Sequence, residues 1–388
     1  MALRRTYRAG AIGDTGHIDA AGHYSAFRIG HDLHLPFQHI PGVEMVAVAD
    51  PDPEGREQGR RDAGAGRAYA DYREMLKKEK LDVVSVCSRQ GIRHEAMILA
   101  AADAGCHIYV DKPFTTDLAS ADRIVAACDR AGVKLAVAHQ SRYLEPFFTA
   151  KQMLERGAIG DLVSMQGRGK EDHRGGGEDL ICCGVHVLDL MRFFAGDPRW
   201  VSGYVGIDGR AATRDDAYDP ADRNGLVLGD ALDGTFGFDH GVLGQMTTRR
   251  DQHMHGERWG LTLIGTEGVL SIRMFNDFTS PSKLRISRSA SVPEEAGDFE
   301  LLDVQMEPVV PGSEELNTGY PPTRGNRQAI YDLLKAAEED RDPLSSGRSG
   351  RWTLEMALGI YAAHLSGARV ALPLADRRHP LEALAALS

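Results

Sequence analysis

Cys106-His107-Ile108-Tyr109-Val110-Asp111-Lys112-Pro113 decides how the rest of this chain is read. Residues with strand character, Cys106 to Val110, run into a carboxylate, an amine and a proline. Proline has no N–H for a ladder, so a central strand stops there. Asp111 and Lys112 are then held at the strand's carboxyl end, where ligands bind in open α/β sheets. A lysine at an arbitrary strand end is more often a solvated charge. What gives this one a purpose lies upstream.

Tyr7 to Ile12 reads as a buried strand followed by Gly13-Asp14-Thr15-Gly16. A glycine turn there lets backbone N–H groups approach a pyrophosphate, with a helix start behind them. The spacing departs from G-x-G-x-x-G, since Thr15 and Ile18 stand where the second and third glycines would be. Glu44 to Asp50 is a mostly apolar run closing on a carboxylate. An acid in that place accepts hydrogen bonds from ribose hydroxyls and repels a 2′-phosphate, so NAD is favoured over NADP. Asp52 adds to the repulsion and Arg56 offsets part of it. The distance from Gly13 to Asp50 exceeds the ~20 residues of the compact fingerprint. The surplus, Asp19 to Pro36, reads as an insertion beside the cofactor cleft, and His23, His31 and His34 in it read as solvated loop residues.

The alternation continues with a helix over Asp71–Lys78, a strand over Val83–Cys87 and a helix over His94–Ala104. After the opening strand come a helix over Leu118–Ala131 and a strand over Lys134–Ala138. This rhythm means parallel βαβ units with right-handed crossovers. A Rossmann-type parallel-sheet domain is therefore expected over residues 1–138. From 139 to 388 the pattern changes. A helix over Phe147–Arg156 precedes strands at Leu162–Gly169, Trp200–Ile207, Ala231–Phe238, Val242–Thr248, Gly260–Ile264, Val269–Arg273 and Leu284–Ser287. Few helices intervene, which implies a mostly antiparallel open sheet, so the fold class is α/β followed by α+β. Asp208–Gly229 and Ala290–Pro322 read as excursions. Asn326–Glu339 and Trp352–Ser366 read as late helices that pack on this sheet or return to the first domain.

The order of the Gly13 turn, Asp50, the helix at His94 and Asp111-Lys112-Pro113 resembles the Gfo/Idh/MocA oxidoreductases, the glucose–fructose oxidoreductase and inositol dehydrogenase family. Their signature at the fifth strand is Glu-Lys-Pro, here Asp-Lys-Pro. The resemblance implies that Lys112 lies beside the nicotinamide and the substrate. It also implies cofactor contacts from Gly13, Asp14, Thr15, Gly16, Asp50, Ser88, Arg89, His94, Asp111, Lys112 and Gln140. Two departures stand out: Arg89-Gln90-Gly91 replaces the usual Thr-Pro-Asn, and Asp111 is one methylene shorter than glutamate.

In the second half, Gly175 to Asp189 resembles the family motif of paired glycines leading into a helix with an Asp, a Gly and a His. His186 and Gly184 match, whereas Cys182 stands where the aspartate usually does. Helical spacing puts Asp179, Cys182 or Cys183, and His186 on one face. Asp179 is expected to orient substrate or water there, with Cys182 widening the pocket, or else simply to cap the helix. No metal site is expected.

The implied chemistry is hydride transfer between a sugar or polyol carbinol and nicotinamide. Histidine, with an ordinary pKa near ~6.5, suits the base that takes the hydroxyl proton. The expected roles are His186 as acid/base, Lys112 as proton relay and Asp179 as orienter. Arg142, Tyr143, Lys170, Asp172, His173 and Cys182 are the candidate substrate-side groups. Two other readings belong to the same scaffold: an NAD-dependent glycoside-cleaving enzyme with no net cofactor turnover, and a non-catalytic NAD-binding protein. The family covers its open sheet with another subunit, so a homodimer or homotetramer is expected.

Composition narrows the classes further. At 388 residues, two domains are the natural expectation. A formal charge of −11 argues against nucleic acid or an anionic membrane as partner. No apolar run approaches the ~18 residues of a spanning helix, and no apolar signal core follows the basic start. The cysteines (Cys87, Cys106, Cys128, Cys182, Cys183) are scattered without a C-x-x-C pair, which suits a reducing, cytoplasmic setting.

Overall fold

The computed structural model describes residues 3–14, 33–220, 223–252, 258–274, 282–289, 299–304 and 321–382. Two compact units emerge. The first comprises Met1–Tyr143, Ala221–Gly225 and Glu307–Arg351; the second comprises Leu144–Pro220, Leu226–Met306 and Trp352–Ser388. The sequence reading divides the chain once, after 138, whereas the units interleave.

In chain order the first unit builds β1 (Tyr7–Ile12), β2 (Val43–Ala49), α1 (Pro53–Asp62), β3 (Arg67–Tyr69), α2 (Tyr72–Glu79) and β4 (Val83–Val86). It continues with α3 (Gly91–Asp103), β5 (His107–Val110), α4 (Leu118–Ala131) and β6 (Leu135–Val137). The strands lie in the order β3-β2-β1-β4-β5-β6, and every neighbouring pair is parallel. Strand order reverses at β1, which leaves a crevice at the carboxyl ends of β1 and β4. α1 and β3 are absent from the sequence reading. α1 (PEGREQGRRD) carries two glycines and no large apolar residue; its start is fixed by Asp52, whose carboxylate accepts from Gly55 N, and by Pro53 in the first turn. His34, expected to be solvated, is buried among Leu33, Phe37 and Ile40, and burial pulls its imidazole down to about 4, so it is neutral. His23 and His31 lie outside the described residues.

α3 has no side-chain cap of its own at Gln90. Asn224 supplies one from far along the chain: its Oδ1 accepts from Gly91 N at 2.9 Å, and Arg223 O accepts from Ile92 N. This pairing explains why the short segment Ala221–Gly225 belongs to the first unit.

The second unit begins with α5 (Glu145–Glu155), β7 (Leu162–Arg168), α6 (Gly175–Asp179), a π-helical turn over Leu180–Gly184, and α7 (Val185–Ala195). Then follow β8 (Trp200–Ile207), β9 (Arg210–Ala211), β10 (Ala231–Gly237), β11 (Leu243–Arg249), β12 (Gly260–Gly265), β13 (Val269–Arg273), β14 (Lys283–Ser287) and β15 (Glu300–Leu301). Most pairs are antiparallel, with β7 and β11 parallel. Side chains alternate along β7 and β11, burying Met165 and Met246 and exposing Gln166 and Gln245. The inner face is so close to α7 that a Cβ on Gly167 would meet Val187 Cγ1 at 2.5 Å. Across the opposite face the register aligns Arg285, Ser271, Thr262, Gln166, Gln245, Thr235 and Ser202 in one polar row. Most of the expected excursion 290–322 lies outside the described residues.

α8 (Pro321–Glu339) returns to the first unit and packs on its sheet. Ala329, Ile330, Leu333 and Leu334 join Ala9, Ala11, Val48 and Tyr109 in one apolar core, and Tyr109 Oη donates to Asn326 Oδ1 at 2.8 Å. α9 (Gly347–Ser366) starts in the first unit, and from Trp352 onward belongs to the second, where Ile360 sits against Gly203 and Gly234. β16 (Val370–Ala371) closes the edge beside β8. No helix among the described residues is long and apolar enough to cross a membrane.

Candidate active site

The parallel strands of the first unit deliver their chemistry at one end. Gly13 N donates to Ala49 O at 2.8 Å, tying the turn after β1 to the end of β2. Asp14 is buried; its Oδ1 pairs with Arg93 Nη1 at 2.8 Å and its Oδ2 accepts from Ser88 Oγ. That carboxylate is therefore neutralised within the turn and holds the β1 and β4 ends together. Thr15 and Gly16 lie outside the described residues. Asp50 is buried at the end of β2, and its Oδ1 accepts from Asp52 N at 2.9 Å. Arg56 Nη1 donates to the Asp50 carbonyl at 2.9 Å.

His94 corrects its sequence assignment. It is fully buried, with Nε2 2.7 Å from Ser88 O and Nδ1 3.1 Å from Phe114 O. The ring lies between the loops after β4 and β5, with a backbone carbonyl of each facing one of its nitrogens. Arg89 is half-buried beside Ser88. At β5, Asp111 Oδ1 accepts from Lys112 N at 2.7 Å, and Asp111 N donates to Val86 O. Lys112 is 7% exposed, so its stem is enclosed at the strand end. The Lys112–Pro113 peptide is cis.

After β6 the chain makes a tight turn over Gln140–Tyr143. Tyr143, expected at the substrate, is instead part of the first unit's core. Its hydroxyl donates to Asp332 Oδ2 at 2.8 Å and accepts from Ser345 N, and burial drives its phenol well above the ordinary range. Arg142 Nη1 donates to Leu344 O at 3.0 Å in the same wall. Gln140 Oε1 is buried and has no hydrogen-bond partner among the described residues. A buried acceptor left in that state calls for a donor. A dinucleotide fits these residues: a ribose hydroxyl suits the Asp50 carboxylate, and an N–H donor suits Gln140.

The second unit holds a separate cluster, seated by three glycines. A Cβ on Gly175 would lie 2.0 Å from Arg250 Cα, and one on Gly177 2.5 Å from Leu228 O. Gly176 takes φ 60°, ψ −130°, which a side chain would resist. Arg174, just before them, grips Asp172 through Nε and Nη2, and its Nη1 lies 2.9 Å from Cys182 Sγ. Lys170 Nζ is 3.7 Å from Asp172 and 5.9 Å from the Trp259 ring, whose centroid is 6.5 Å from that of His186. Burial would push the Asp172 carboxyl up, but the hydrogen bond and charge of Arg174 hold it well below the usual range. His173 is largely exposed.

Asp179 departs from expectation in two ways. The π-helical turn carries more residues per turn than an α-helix, so α-helical spacing does not run unbroken from Asp179 through Cys182 to His186. Asp179 is also wholly buried. Its Oδ2 accepts from Thr248 Oγ1 and from Glu171 N at 3.1 Å, while Oδ1 has no partner among the described residues. Through Glu171 N and Thr248 Oγ1 it anchors the segment bearing Lys170, Asp172 and Arg174. Burial, reinforced by Asp172 and Cys182, raises its carboxyl to about 6.

A folded pKa above the unfolded one stabilises below about pH 4, and that stability is lost as pH rises through about 6. Asp179→Asn keeps the shape without the titration. The stability of the wild type relative to this variant is expected to fall by about 2 kcal/mol between pH 4.5 and 7.5. Urea denaturation at both pH values checks this; a difference that stays constant contradicts it. Among the described residues no cluster of His, Cys, Asp and Glu could hold a metal ion.

A family model described as an oxidoreductase family with an NAD-binding Rossmann fold matches residues 26–139, and the C-terminal domain model of the same family matches 147–271. D-apiose dehydrogenase of Paraburkholderia graminis is 34% identical over 174 residues, 42% of this chain and 45% of that protein. The scyllo-inositol 2-dehydrogenase (NAD(+)) of Bacillus subtilis is 28% identical over 166 residues, 40% and 48% respectively. The chain thus spans about half the length of these curated relatives. An NAD-binding oxidoreductase structure from Klebsiella pneumoniae shares the fold with a TM-score of 0.71 at 23% identity, covering 95% of this chain and 99% of that one.

Proposed function

The chain belongs to the Gfo/Idh/MocA oxidoreductase family, and from that premise we propose that it is an NAD-dependent oxidoreductase acting on a carbinol of a sugar or polyol. The observation that carries the reading is the buried Lys112 side chain at the carboxyl end of β5, where the backbone N–H of Lys112 is fixed by Asp111 Oδ1. A bound nicotinamide supplies the hydride acceptor or donor. The imidazole of His186 takes the hydroxyl proton as the alcohol is oxidised and returns it in reduction. The ammonium of Lys112 stabilises the developing alkoxide and passes the proton on. Asp50 accepts from ribose hydroxyls. Trp259 beside His186, and Lys170 over the Trp259 ring, supply an apolar wall and a charged donor for a hydroxyl-rich ligand. Asp179 positions Lys170, Asp172 and Arg174 without touching the substrate. The polar row on the second sheet is the surface through which copies of the chain would form a homodimer or homotetramer.

The test is incubation with NAD and a panel of sugars, inositols and glycosides, following NADH absorbance and product masses together. One NADH per oxidised product is the expected result. Glycoside cleavage without NADH accumulation, or tight NAD binding with no turnover, would replace this reading.

Asp50 sets the cofactor preference in this scheme. Asp50→Ala is expected to raise the KM for NAD about 10- to 100-fold, the worth of hydrogen bonds to a charged acceptor, and to narrow the preference over NADP. Steady-state kinetics with both cofactors measures it; an unchanged NAD/NADP ratio places the ribose elsewhere.

A further inference from the structure

We propose that Cys182 is a hydroperoxide-reactive thiolate, a modification site that the proposed hydride transfer does not use. All five cysteines are buried and none is in a disulfide. What separates them is the company each sulfur keeps. At Cys106 and Cys128 burial, with a smaller push from Asp82 and Asp129 respectively, takes the thiols up to about 12. Cys182 Sγ instead has the guanidinium Nη1 of Arg174 at 2.9 Å. That guanidinium cannot swing away, because its Nε and Nη2 are fixed on Asp172. A cation at hydrogen-bond distance favours the thiolate, which is the nucleophilic form of cysteine.

The neighbouring thiol points the same way. Cys183 is raised far above an ordinary thiol, first by its hydrogen bond to Cys182 and then by burial. It therefore stays protonated and donates its S–H to the Cys182 sulfur. Two donors, one of them charged, converge on a single sulfur atom. The negative groups facing it are Asp172 and Asp179. The first shares Arg174 with the sulfur and has Lys170 Nζ at 3.7 Å as a second cation, and the second is a buried acid whose carboxyl is raised to about 6. Cys182 keeps 6% of its surface exposed.

In the reaction the Cys182 sulfur attacks one oxygen of a hydroperoxide. An S–O bond forms, the O–O bond breaks, and the departing hydroxide takes a proton from solvent to become water. Sulfur is oxidised by two electrons to the sulfenic acid while the peroxide is reduced. Condensation with Cys183 would need the two Cβ atoms within about 4.5 Å. Across a trans peptide the two Cα atoms are ~3.8 Å apart, closer than the ~4.4–6.8 Å that a relaxed disulfide spans, so closing that ring is disfavoured and the sulfenic acid persists until an outside thiol removes it.

The test treats the intact protein with hydrogen peroxide and dimedone, maps the adduct by fragment mass spectrometry, and measures iodoacetamide alkylation of each cysteine from pH 6 to 9. The adduct is expected on Cys182, to vanish in Cys182→Ser and to remain in Cys183→Ser. Alkylation of Cys182 should already be fast at pH 6.5, and Arg174→Gln should slow it about tenfold at pH 7 while Arg174→Lys restores most of the rate. An adduct on Cys183, or one spread evenly over the cysteines, overturns the proposal. So does a Cys182 rate that climbs tenfold per pH unit through neutrality, as for an ordinary thiol. The wild-type pH profile decides if Arg174→Gln does not fold. The outcome is independent of which substrate the protein turns over.

Discussion

Lys112→Ala is expected to lower kcat by roughly two to four orders of magnitude, the range a positioned proton-transfer group contributes, while the protein still folds and binds NAD. The side chain is enclosed at the end of β5, but its backbone, through Lys112 N and Asp111 Oδ1, keeps its contact whatever the side chain. Removing the amine therefore takes away alkoxide stabilisation and the proton path without dismantling the strand end. Lys112→Arg separates the two roles. Arginine keeps the charge but does not give up its proton, so it should recover part of the electrostatic term and none of the relay. Steady-state kinetics with an NAD titration reads both. A Lys112→Ala enzyme within threefold of the wild type would remove the amine from the chemistry.

The second large effect is at His186. His186→Ala is expected to reduce kcat about 10²- to 10³-fold, with KM for NAD unchanged because the residue belongs to the second unit and the nucleotide groups to the first. Imidazole in the buffer should rescue part of the loss, since a small base can enter the space left beside Trp259. A merely structural histidine would not respond that way. No rescue, combined with a loss of folding stability equal to the loss of activity, would count against the acid/base role.

Much of the architecture is legible in the residue pattern because the pattern is strong where burial is complete. Tyr7–Ile12, Leu118–Ala131, Trp200–Ile207 and Val269–Arg273 have the same boundaries in the sequence reading and in the structure. These segments carry their own apolar periodicity. α1 and β3 do not: one is a polar helix with glycines, the other three residues at a sheet edge. The chemistry is less legible than the fold. His94 and Tyr143 are the right residue types in the right order, yet their polar atoms are consumed by Ser88, Phe114, Asp332 and Ser345. Only distance reveals that. Likewise nothing in the run Leu180–Gly184 announces a π-helical turn, and the α-helical wheel drawn through it misaligns Asp179 with His186. The pairing of Arg174 with Cys182 had one readable hint, the cysteine standing where an acid is usual, but eight positions separate the partners.

The helix Pro321–Glu339 that covers Ala9, Ala11 and Tyr109 leaves the ribosome after every strand of the sheet it shields. During synthesis the nascent nucleotide-binding half must wait, with an oily flank uncovered, for nearly two hundred further residues to be made. Contacts so distant in sequence slow folding and lengthen exposure to aggregation. Chaperone dependence, and failure of any fragment cut after Tyr143 to remain dispersed on its own, follow from that late arrival.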